Sequence, residues 1–337
     1  METQQKPRIS YTQFMETMPV KQTFAEGTVA ALIGKYIEEK SQPGRRQMGP
    51  SQTYTLRRLQ RTTLGGIKAA ALKPTDYIEY CASRIAAGRK PATARQDMTF
   101  LVIVLKHAED IWEVPGVNLK VWKKARRQLE REQLIGKSTP RTRLPEDEEI
   151  ALLRAYFAAH KLKPRAKIDM ELVMEAELKT SRRISEICRI ERQHVNVEKR
   201  TCMVYNLKNS KGKGYHGEFA LIEGAWELFE RRLAEIPNVP TARLFPFNGK
   251  SCSALYTNAK KDLRKEHPHL FDNLRMHDNR AECCVTLLEK GYSVEQVQKG
   301  ISLHKGDGKV LRETYIRIKA KDLHRGPAAR FADERLS

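Results

Sequence analysis

Apolar residues recur at helical spacing along most of this chain, and this periodicity restricts the fold more than any other feature of the sequence. Val29, Ala30, Ile33 and Ile37 fall on one face of a predicted helix. The proline of Pro74-Thr75-Asp76 suits the first turn of another helix, because its missing N–H would have no partner there. In the first half we predict helices near 26–40, 51–63, after Pro74, and from Thr93 to about Trp112.

One stretch, 202–222, departs from the helical pattern. The runs CMVYNL and EFALI are short and strand-like, and the turn-rich, basic run SKGKGYHG separates them. We therefore predict a β-hairpin or part of a small sheet, within a fold that is mainly α. The helices predicted around it lie near 146–159, 169–179, 224–235, 252–265, 277–289, 293–300 and 308–319.

The segment Arg131 to Pro145, REQLIGKSTPRTRLP, is the best candidate for a linker, because Gly, Ser, Thr and two prolines lie among its charges. A chain of 337 residues allows two domains, and 40% apolar residues are enough for a core in each. The expected order is a flexible lead, a helical domain, a linker, an α+β domain and a tail, at 1–24, 25–133, 134–145, 146–326 and 327–337.

The charge of the chain points to a polyanionic partner. Lys and Arg number 62 against 41 Asp and Glu, so the formal net charge is +21. Nucleic acid is the first candidate, because neutralised phosphates release counterions and so supply most non-specific affinity. No apolar run is long enough to cross a bilayer, and the polar residues 1–8 lack the apolar core of a secretory signal. We expect a cytoplasmic protein without a membrane partner.

The cysteines and histidines predict neither disulfides nor a metal site. The chain has six cysteines and no C-x-x-C, so we expect buried, reduced thiols. His267 and His269 lack a second pair of ligands, so no zinc is predicted. We predict no cofactor.

Four stretches of the second half carry basic or nucleophilic side chains. Taken singly, each has a structural explanation, such as a surface charge, a turn lysine, a helix-start residue or a half-buried aromatic. Their order and spacing together favour chemistry. These residues are Arg183 in KTSRRISEICRI, Lys208 in LKNSKGKG, His277 and Arg280 at the start of one helix, His304, and Tyr315 in LRETYIRI.

This ordered set resembles the tyrosine recombinase family, which includes phage integrases, Xer proteins and the Cre recombinase. The family pattern is an Arg in a T-G-L-R-x-S/A-E helix start, a Lys on a β-hairpin, H-x-x-R, a His or Trp, and a Tyr. Here Thr180-Ser181-Arg182-Arg183-Ile184-Ser185-Glu186 is followed by Lys208, His277-x-x-Arg280, His304 and Tyr315. The resemblance covers about 25–320. It implies a helical core-binding domain that binds DNA and an α+β catalytic domain.

The chain departs from the family pattern at three points. Ala281 follows Arg280 where many members have a second His, and Leu303 precedes His304 where Gly is frequent. The interval from His304 to Tyr315 is about two residues longer than is usual in the family. None of these departures removes a catalytic residue type.

The residue types suit transesterification at a DNA phosphodiester. Arg183 and Arg280 would hold the non-bridging oxygens, in the place that a metal ion occupies in other phosphoryl-transfer sites. Lys208 is the first choice as general acid, with Lys211 and Lys213 in reserve. Further roles fall to Tyr315 as nucleophile, His277 as proton acceptor or phosphate ligand, His304 as hydrogen-bond donor, and Glu186 as an orienting residue or a simple helix-surface carboxylate. The resemblance implies a 3′-phosphotyrosine intermediate.

The expected ligand is double-stranded DNA, held through its phosphates by both domains. The resemblance implies a homotetramer working on two sites, and the segment 327–337 is either a tail that docks on a neighbouring subunit or a frayed end. An accessory DNA-bending protein or a directionality factor is a further candidate partner. The candidate phosphate contacts are Arg57, Arg58, Arg61, Arg89, Lys90, Arg95, Lys211 and Lys213.

Our first hypothesis is a site-specific recombinase of a phage or another mobile element. The alternatives are a Xer-like resolvase, a type IB topoisomerase, and a non-catalytic DNA-binding regulator of the same fold. The lead before residue 25 is short for an arm-binding domain, which favours a simple recombinase over an arm-binding integrase.

Overall fold

The structure is a computed structural model that describes residues 25–139, 141, 143–207 and 215–303. These residues form two compact units, and the first unit ends at Thr139. Each unit has its own apolar core. The predicted lead and tail, the helix predicted at 308–319, and the loop between the two strand-like runs lie outside the described residues.

The first unit consists of helices. Prolines open three of them at the first turn, and Thr28 and Asn118 cap two others through their side-chain oxygens. The long apolar helix predicted from Thr93 is central, and its Met98, Leu101 and Val104 are fully buried. The helices are α1 (Val29–Lys40), α2 (Pro50–Gln60), α3 (Thr63–Gly66), α4 (Pro74–Ala86), α5 (Pro91–Asp110) and α6 (Leu119–Arg131).

The second unit surrounds a small sheet with helices. The helix α8 is central, because α7, α9, α10, α11 and α12 all pack on it. Its residues Val173, Met174 and Ala176 are fully buried. The helices are α7 (Asp147–Lys161), α8 (Met170–Thr180), α9 (Ile184–Ile187), α10 (Ala225–Glu235), α11 (Gly249–Glu266) and α12 (Asp278–Glu289), followed by a π-helix (Gln296–Ser302).

The sheet is antiparallel and has the order β1-β2-β3, with β1 at Val195–Asn196, β2 at Thr201–Leu207 and β3 at Tyr215–Ala220. Cys202 pairs with Phe219, and the register shifts between Val204 and Leu207, near the end of β2. The π-helix packs against β3. The described chain of the second unit therefore ends beside β3, one of the two strands on either side of residues 208–214.

The prediction of a mainly α fold with a small sheet is confirmed. Some elements differ from the predicted pattern. The short β1 and the helices α3 and α6 had no predicted counterpart, and the helix predicted at 293–300 is a π-helix at Gln296–Ser302. The helix α9 begins next to Arg183, where the sequence predicted a helix start. All six cysteines are free and buried, as predicted. In the part of the chain that the structure describes, no helix is long and apolar enough to cross a membrane.

Candidate functional site

Arg183 is held at the turn between α8 and α9. Ser181 adopts a left-handed conformation, with φ of 51°, which ends α8 and turns the chain. Arg183 is the N-cap of α9, and its Nη1 donates to Glu186 Oε1 at 2.6 Å. Its backbone N–H donates to the other oxygen of Glu186 at 3.1 Å. One carboxylate thus fixes both the backbone and the guanidinium of Arg183, which keeps 34% of its side chain exposed.

Glu186 is buried, with 2% of its surface exposed, and so is not the helix-surface carboxylate that was one of our two interpretations. Burial alone would favour its neutral form. The charges and hydrogen bonds of Arg182 and Arg183 outweigh that effect and hold the pKa of Glu186 below its ordinary value. Glu186 therefore stays ionised and orients Arg183.

His277 and Arg280 lie one helical turn apart at the start of α12. Arg280 is 1% exposed, and its Nη2 donates to the carbonyl of Ser302 at 2.8 Å. Desolvation, followed by the charges of Arg280 and Arg183, lowers the pKa of His277. The three predicted side chains therefore share one electrostatic environment, in which His277 is neutral at neutral pH and can accept a proton.

The start of α12 is fastened to the segment that follows the unit boundary. Arg141 donates to both oxygens of the buried Asp278, from Nε at 2.9 Å and from Nη2 at 2.5 Å. The N–H of Arg275 also donates to Asp278, at 2.8 Å. Arg143 forms a second fastening on the buried Glu149, whose Oε1 accepts from the N–H of Phe271. The chain that leads into His277 and α12 is therefore held in place by two arginines that precede α7.

A buried polar network lies beneath the arginines. Asn279 Nδ2 donates to Glu177 at 3.3 Å, and Tyr256 Oη donates to Asn279 Oδ1 at 3.4 Å. Burial raises the pKa of Glu177 well above its ordinary value. The sequence analysis did not identify Glu177, because an acidic residue within a helix is ordinarily assigned to its solvent face.

The last described residues lead toward His304. Leu303 has φ of 48° and ψ of 38°, the left-handed region that favours glycine. The family frequently has Gly at this position, so the backbone geometry accords with the assignment of His304 as the next residue. Lys208, Lys211, Lys213, His304 and Tyr315 themselves lie outside the described residues.

Tyr292 is the described tyrosine nearest in sequence to Tyr315. Its hydroxyl donates to Glu223 Oε1 at 3.1 Å, and Lys290 pairs with the same carboxylate at 2.6 Å. The hydrogen bond to Glu223 raises the pKa of Tyr292. This environment disfavours the phenolate and makes Tyr292 a poor nucleophile.

The phosphate contacts predicted in the first unit have different environments. Arg61, Arg89 and Lys90 are exposed, whereas Arg57 and Arg95 are half-buried. Arg58 instead pairs with the buried Asp97 at 2.6 Å, and Arg84 and Tyr80 donate to the same carboxylate. The contact with Asp97 assigns Arg58 a role in the core of the unit.

A basic stripe on α6 was not among the predicted contacts. Its four residues are exposed, and none of them forms an ion pair with another residue that the structure describes. At 3.6 residues per turn they fall within an arc of roughly 60°, on the side of the helix opposite the face that buries Ala125 and Leu129. The i, i+4, i+7, i+11 spacing of cations would have revealed it. The basic stripe consists of Lys120, Lys124, Arg127 and Arg131.

The site contains two oriented guanidinium groups and a neutral imidazole, which suit the oxygens of a phosphodiester and the proton of an attacking hydroxyl. Among the residues described, no group of three His, Cys, Asp or Glu side chains is arranged to hold a metal ion.

Comparison with solved structures shows a shared fold. The Tn1549 transposon integrase in complex with transposon right end DNA matches with a TM-score of 0.60 and 17% identity, over 88% of this chain and 97% of that one. A lambda integrase tetramer bound to a Holliday junction matches with a TM-score of 0.61 and 17% identity, over 87% of this chain and 81% of that one. No curated protein sequence matches the chain.

The sequence itself matches the model of the Phage integrase family over residues 143–319. This range includes the Arg183 turn, the hairpin and the H-x-x-R helix, and it extends to Tyr315. Because the match covers more than half of the 337 residues, and because the fold is shared with two integrases, this protein belongs to the phage integrase family of tyrosine recombinases.

Proposed function

We propose that this protein is a site-specific recombinase that cuts and rejoins DNA through a 3′-phosphotyrosine at Tyr315, and that it integrates or excises a phage or another mobile element. The observation that carries the proposal is that Arg183 and Arg280 are each oriented by a hydrogen bond within the protein, and that both charges act on His277. Glu186 and Ser302 hold the two guanidinium groups in place before any substrate binds. Such preorganisation is the main requirement of a phosphoryl-transfer site.

In the proposed reaction the phenol oxygen of Tyr315 forms a bond to phosphorus, and the bond to the deoxyribose 5′-oxygen breaks. Negative charge gathers on the non-bridging oxygens, where Arg183 and Arg280 act through charge-assisted hydrogen bonds. His277 accepts the phenol proton, and its lowered pKa supports this role. Lys208 protonates the leaving oxygen, with Lys211 or Lys213 as alternatives, and His304 donates a hydrogen bond to the phosphate.

The covalent link conserves the energy of the phosphodiester, so no nucleotide is consumed. Attack by a free 5′-hydroxyl on the phosphotyrosine reverses the step. Attack by the 5′-hydroxyl of a second duplex completes recombination instead of resealing. Cleavage and joining are thus the same chemistry in opposite directions.

DNA binding is proposed for exposed and half-buried cations of the first unit. The basic stripe of α6 joins Arg57, Arg61, Arg89, Lys90 and Arg95 in this role, because its four cations are exposed on one helix face and suit a row of phosphates. The hairpin lysines Lys211 and Lys213 would add contacts from the second unit. Contacts of this kind position the protein without identifying sequence.

The active assembly is proposed to be a homotetramer on two recombination sites. The support is the shared fold with an integrase that was solved as a tetramer on a Holliday junction. The segment 327–337 would dock on a neighbouring subunit and couple assembly to cleavage. An accessory DNA-bending protein or directionality factor would act on this assembly.

A nicked suicide substrate tests the proposal. Cleavage near the nick releases a short strand and prevents resealing, so a covalent protein–DNA adduct accumulates. We expect the adduct to carry DNA labelled upstream of the cleaved phosphate, and the released strand to bear a free 5′-hydroxyl. A protein that binds its site but never forms an adduct would be a DNA-binding regulator.

Recombination between two marked sites separates the enzymatic alternatives. We expect exchanged products that require both sites. Relaxation of supercoiled DNA by a monomer, without exchange, would instead identify a type IB topoisomerase. Resolution of dimers as the only productive reaction would identify a Xer-like resolvase.

A further inference from the structure

Arg182 is the most deeply buried basic residue beside the site, and the sequence analysis assigned it no role. None of its surface is exposed. The family pattern T-G-L-R-x-S/A-E has an apolar Leu at this position, immediately before the Arg that corresponds to Arg183. Burying a guanidinium costs several kcal/mol unless partners compensate it. The contacts of Arg182 should therefore explain its presence.

Its contacts reach the end of the π-helix. Nη2 of Arg182 donates to the carbonyl of Ile301 at 2.6 Å, and Nη2 of Arg280 donates to the next carbonyl, that of Ser302, at 2.8 Å. The last carbonyls of a helix have no partner within the helix. The two arginines therefore satisfy consecutive carbonyls at the point where the chain turns through Leu303 toward His304.

The rest of the guanidinium is only partly compensated. Its carbon atom lies 5.1 Å from the centre of the Phe219 ring, and Nη1 lies 3.7 Å from Glu186 Oε2. Among the described residues, this buried Nη1 has no hydrogen-bond partner. The positive charge of Arg182 is thus only partly compensated by its hydrogen bonds and its ion pair, and it adds to the charge of the site.

The other charges near Arg182 also indicate that the site is positively charged. Arg182 and Arg183 both act on one carboxylate, Glu186, and the charge of Arg280 acts on Arg182 and His277. Burial raises the pKa of Glu177, which favours the neutral form of its carboxyl. The site therefore carries an excess of positive charge. A phosphodiester supplies one negative charge, and the transition state concentrates more of it on the non-bridging oxygens.

We propose that Arg182 is a positioning residue of the recombinase site: it fixes the end of the π-helix before His304 and adds a fixed positive charge behind Arg280. The proposal rests on the proposed function, since the phosphate that benefits is the one that Tyr315 attacks. Arg182 acts through Arg280 and through the backbone.

Two substitutions test the proposal. Arg182→Leu introduces the residue of the family pattern and removes both the charge and the carbonyl contact. Arg182→Lys keeps a charge and one donor. Arg192→Leu is the matched control, because Arg192 Nη1 also donates to a backbone carbonyl, that of Leu233 at 2.6 Å, and plays no part in the site.

The measurements are the single-turnover rate of adduct formation, the affinity for one DNA site and the melting temperature. Arg182→Leu should slow adduct formation by about a hundredfold, comparable to the loss of one oxyanion-hole donor. Its affinity for one site should stay within a few-fold of the wild type. Arg192→Leu should lower the melting temperature without slowing adduct formation in the folded protein.

The pH profile separates a charge effect from simple packing. Burial and the charge of Arg280 lower the pKa of Arg182 to about 9, which leaves it charged at neutral pH. A lysine has a lower ordinary pKa than an arginine, and the same burial would lower it further, so a lysine at this position would lose its charge at a lower pH than Arg182 does. The titratable and charged groups around the position are Glu186, Arg183, Arg280, Cys202, Cys283 and Cys284.

The rate of Arg182→Lys relative to the wild type should therefore fall as the pH rises from 6 to 8.5. A pH-independent ratio, or an Arg182→Leu variant that forms adduct as fast as the wild type, would overturn the proposal. If Arg182→Leu does not fold, the pH dependence of Arg182→Lys decides. If the wild type forms no adduct, the proposed function fails instead.

Discussion

Charge at the candidate site depends on two carboxyl groups whose pKa values are shifted in opposite directions. Glu186 is buried among arginines that hold its pKa low, whereas the burial of Glu177 raises its pKa well above the ordinary value. One carboxyl is therefore an anion that orients Arg183, whereas burial favours the neutral form of the other, which accepts a hydrogen bond from Asn279. The difference follows from the number of cations that each contacts.

Replacing each carboxyl by an amide should separate these states. Glu186→Gln breaks a buried pair and should lower the free energy of unfolding by roughly 3–5 kcal/mol at pH 7. Because the folded pKa of Glu186 is lowered, this contribution is present above its unfolded pKa and is lost as the pH falls through the folded value. Glu177→Gln, which keeps an acceptor, should be neutral or stabilising at pH 7. Urea denaturation at pH 7 and about pH 4 tests both; equal losses would contradict the assignment.

His277 should report the charge of Arg183 directly. Arg183→Leu removes one of the cations that lower the pKa of His277, so that pKa should rise. Arg189→Leu is the control, since Arg189 is exposed and its Nε donates to the carbonyl of Ser185. Titration of the His277 ring by NMR, assigned with a His277→Gln variant, gives the two values. An unchanged pKa in Arg183→Leu would place the two groups in separate environments.

For individual residues, the sequence predicted which residue types form the site, but it did not predict the buried residues that hold them in place. The spacing of His277 and Arg280 follows from helical geometry. Arg182, Arg141 and Glu177 were not identified, because charged residues are rarely buried and their partners lie about a hundred positions away. Long-range partners of this kind cannot be inferred from one sequence without contacts.

At the scale of elements, α12 is the helix on which the site depends, and its first turn is held from outside. Arg141 fastens Asp278, Asn279 contacts Glu177, and Arg280 donates to the π-helix. The first turn of α12 therefore contacts the segment after Thr139, the centre of the second unit and the end of the π-helix before His304.

Arg141→Ala should loosen this turn. Asp278 is 3% exposed and would lose a bidentate partner, at a cost of about 1–3 kcal/mol because Arg141 is itself partly solvated. The melting temperature of the second unit should drop by roughly 2–10 °C, and adduct formation should slow more than DNA binding weakens. Arg165→Ala, at an exposed position, is the control. An Arg141→Ala variant with an unchanged melting temperature would exclude the fastening role.

The helices were largely predictable, and their exceptions have physical causes. Apolar period and proline starts located α1, α2, α4 and α5 to within a few residues. The π-helix was predicted as an ordinary helix, because over seven residues a π period and an α period give nearly the same pattern. The two-residue β1 is too short to show alternation.

At the scale of the whole molecule, the net charge of +21 is the property most directly tied to DNA. Part of it is concentrated in the basic stripe of α6, and part lies at the site itself. The linker prediction, 134–145, includes the position at which the two compact units separate, after Thr139.

Affinity for DNA should fall steeply with salt. If six or more phosphates are contacted, a loss on the order of a thousandfold is expected between about 50 and 200 mM salt. Changing Lys120, Lys124, Arg127 and Arg131 to Gln should reduce the slope of log K against log salt by up to about 0.9 for each phosphate lost. Arg126→Gln with Glu130→Gln, an ion pair on another face of α6, is the control. An unchanged slope in the quadruple variant would exclude the stripe from the interface.

The most direct test of the central claim is to identify the residue that is linked to DNA. Wild-type protein, Tyr315→Phe and Tyr292→Phe are incubated with the nicked suicide substrate, and the DNA-linked peptide is identified by mass spectrometry. We predict that the wild type and Tyr292→Phe form the adduct through Tyr315, and that Tyr315→Phe binds DNA normally but forms none. An adduct formed by Tyr315→Phe, or a linked peptide that lacks Tyr315, would contradict the account.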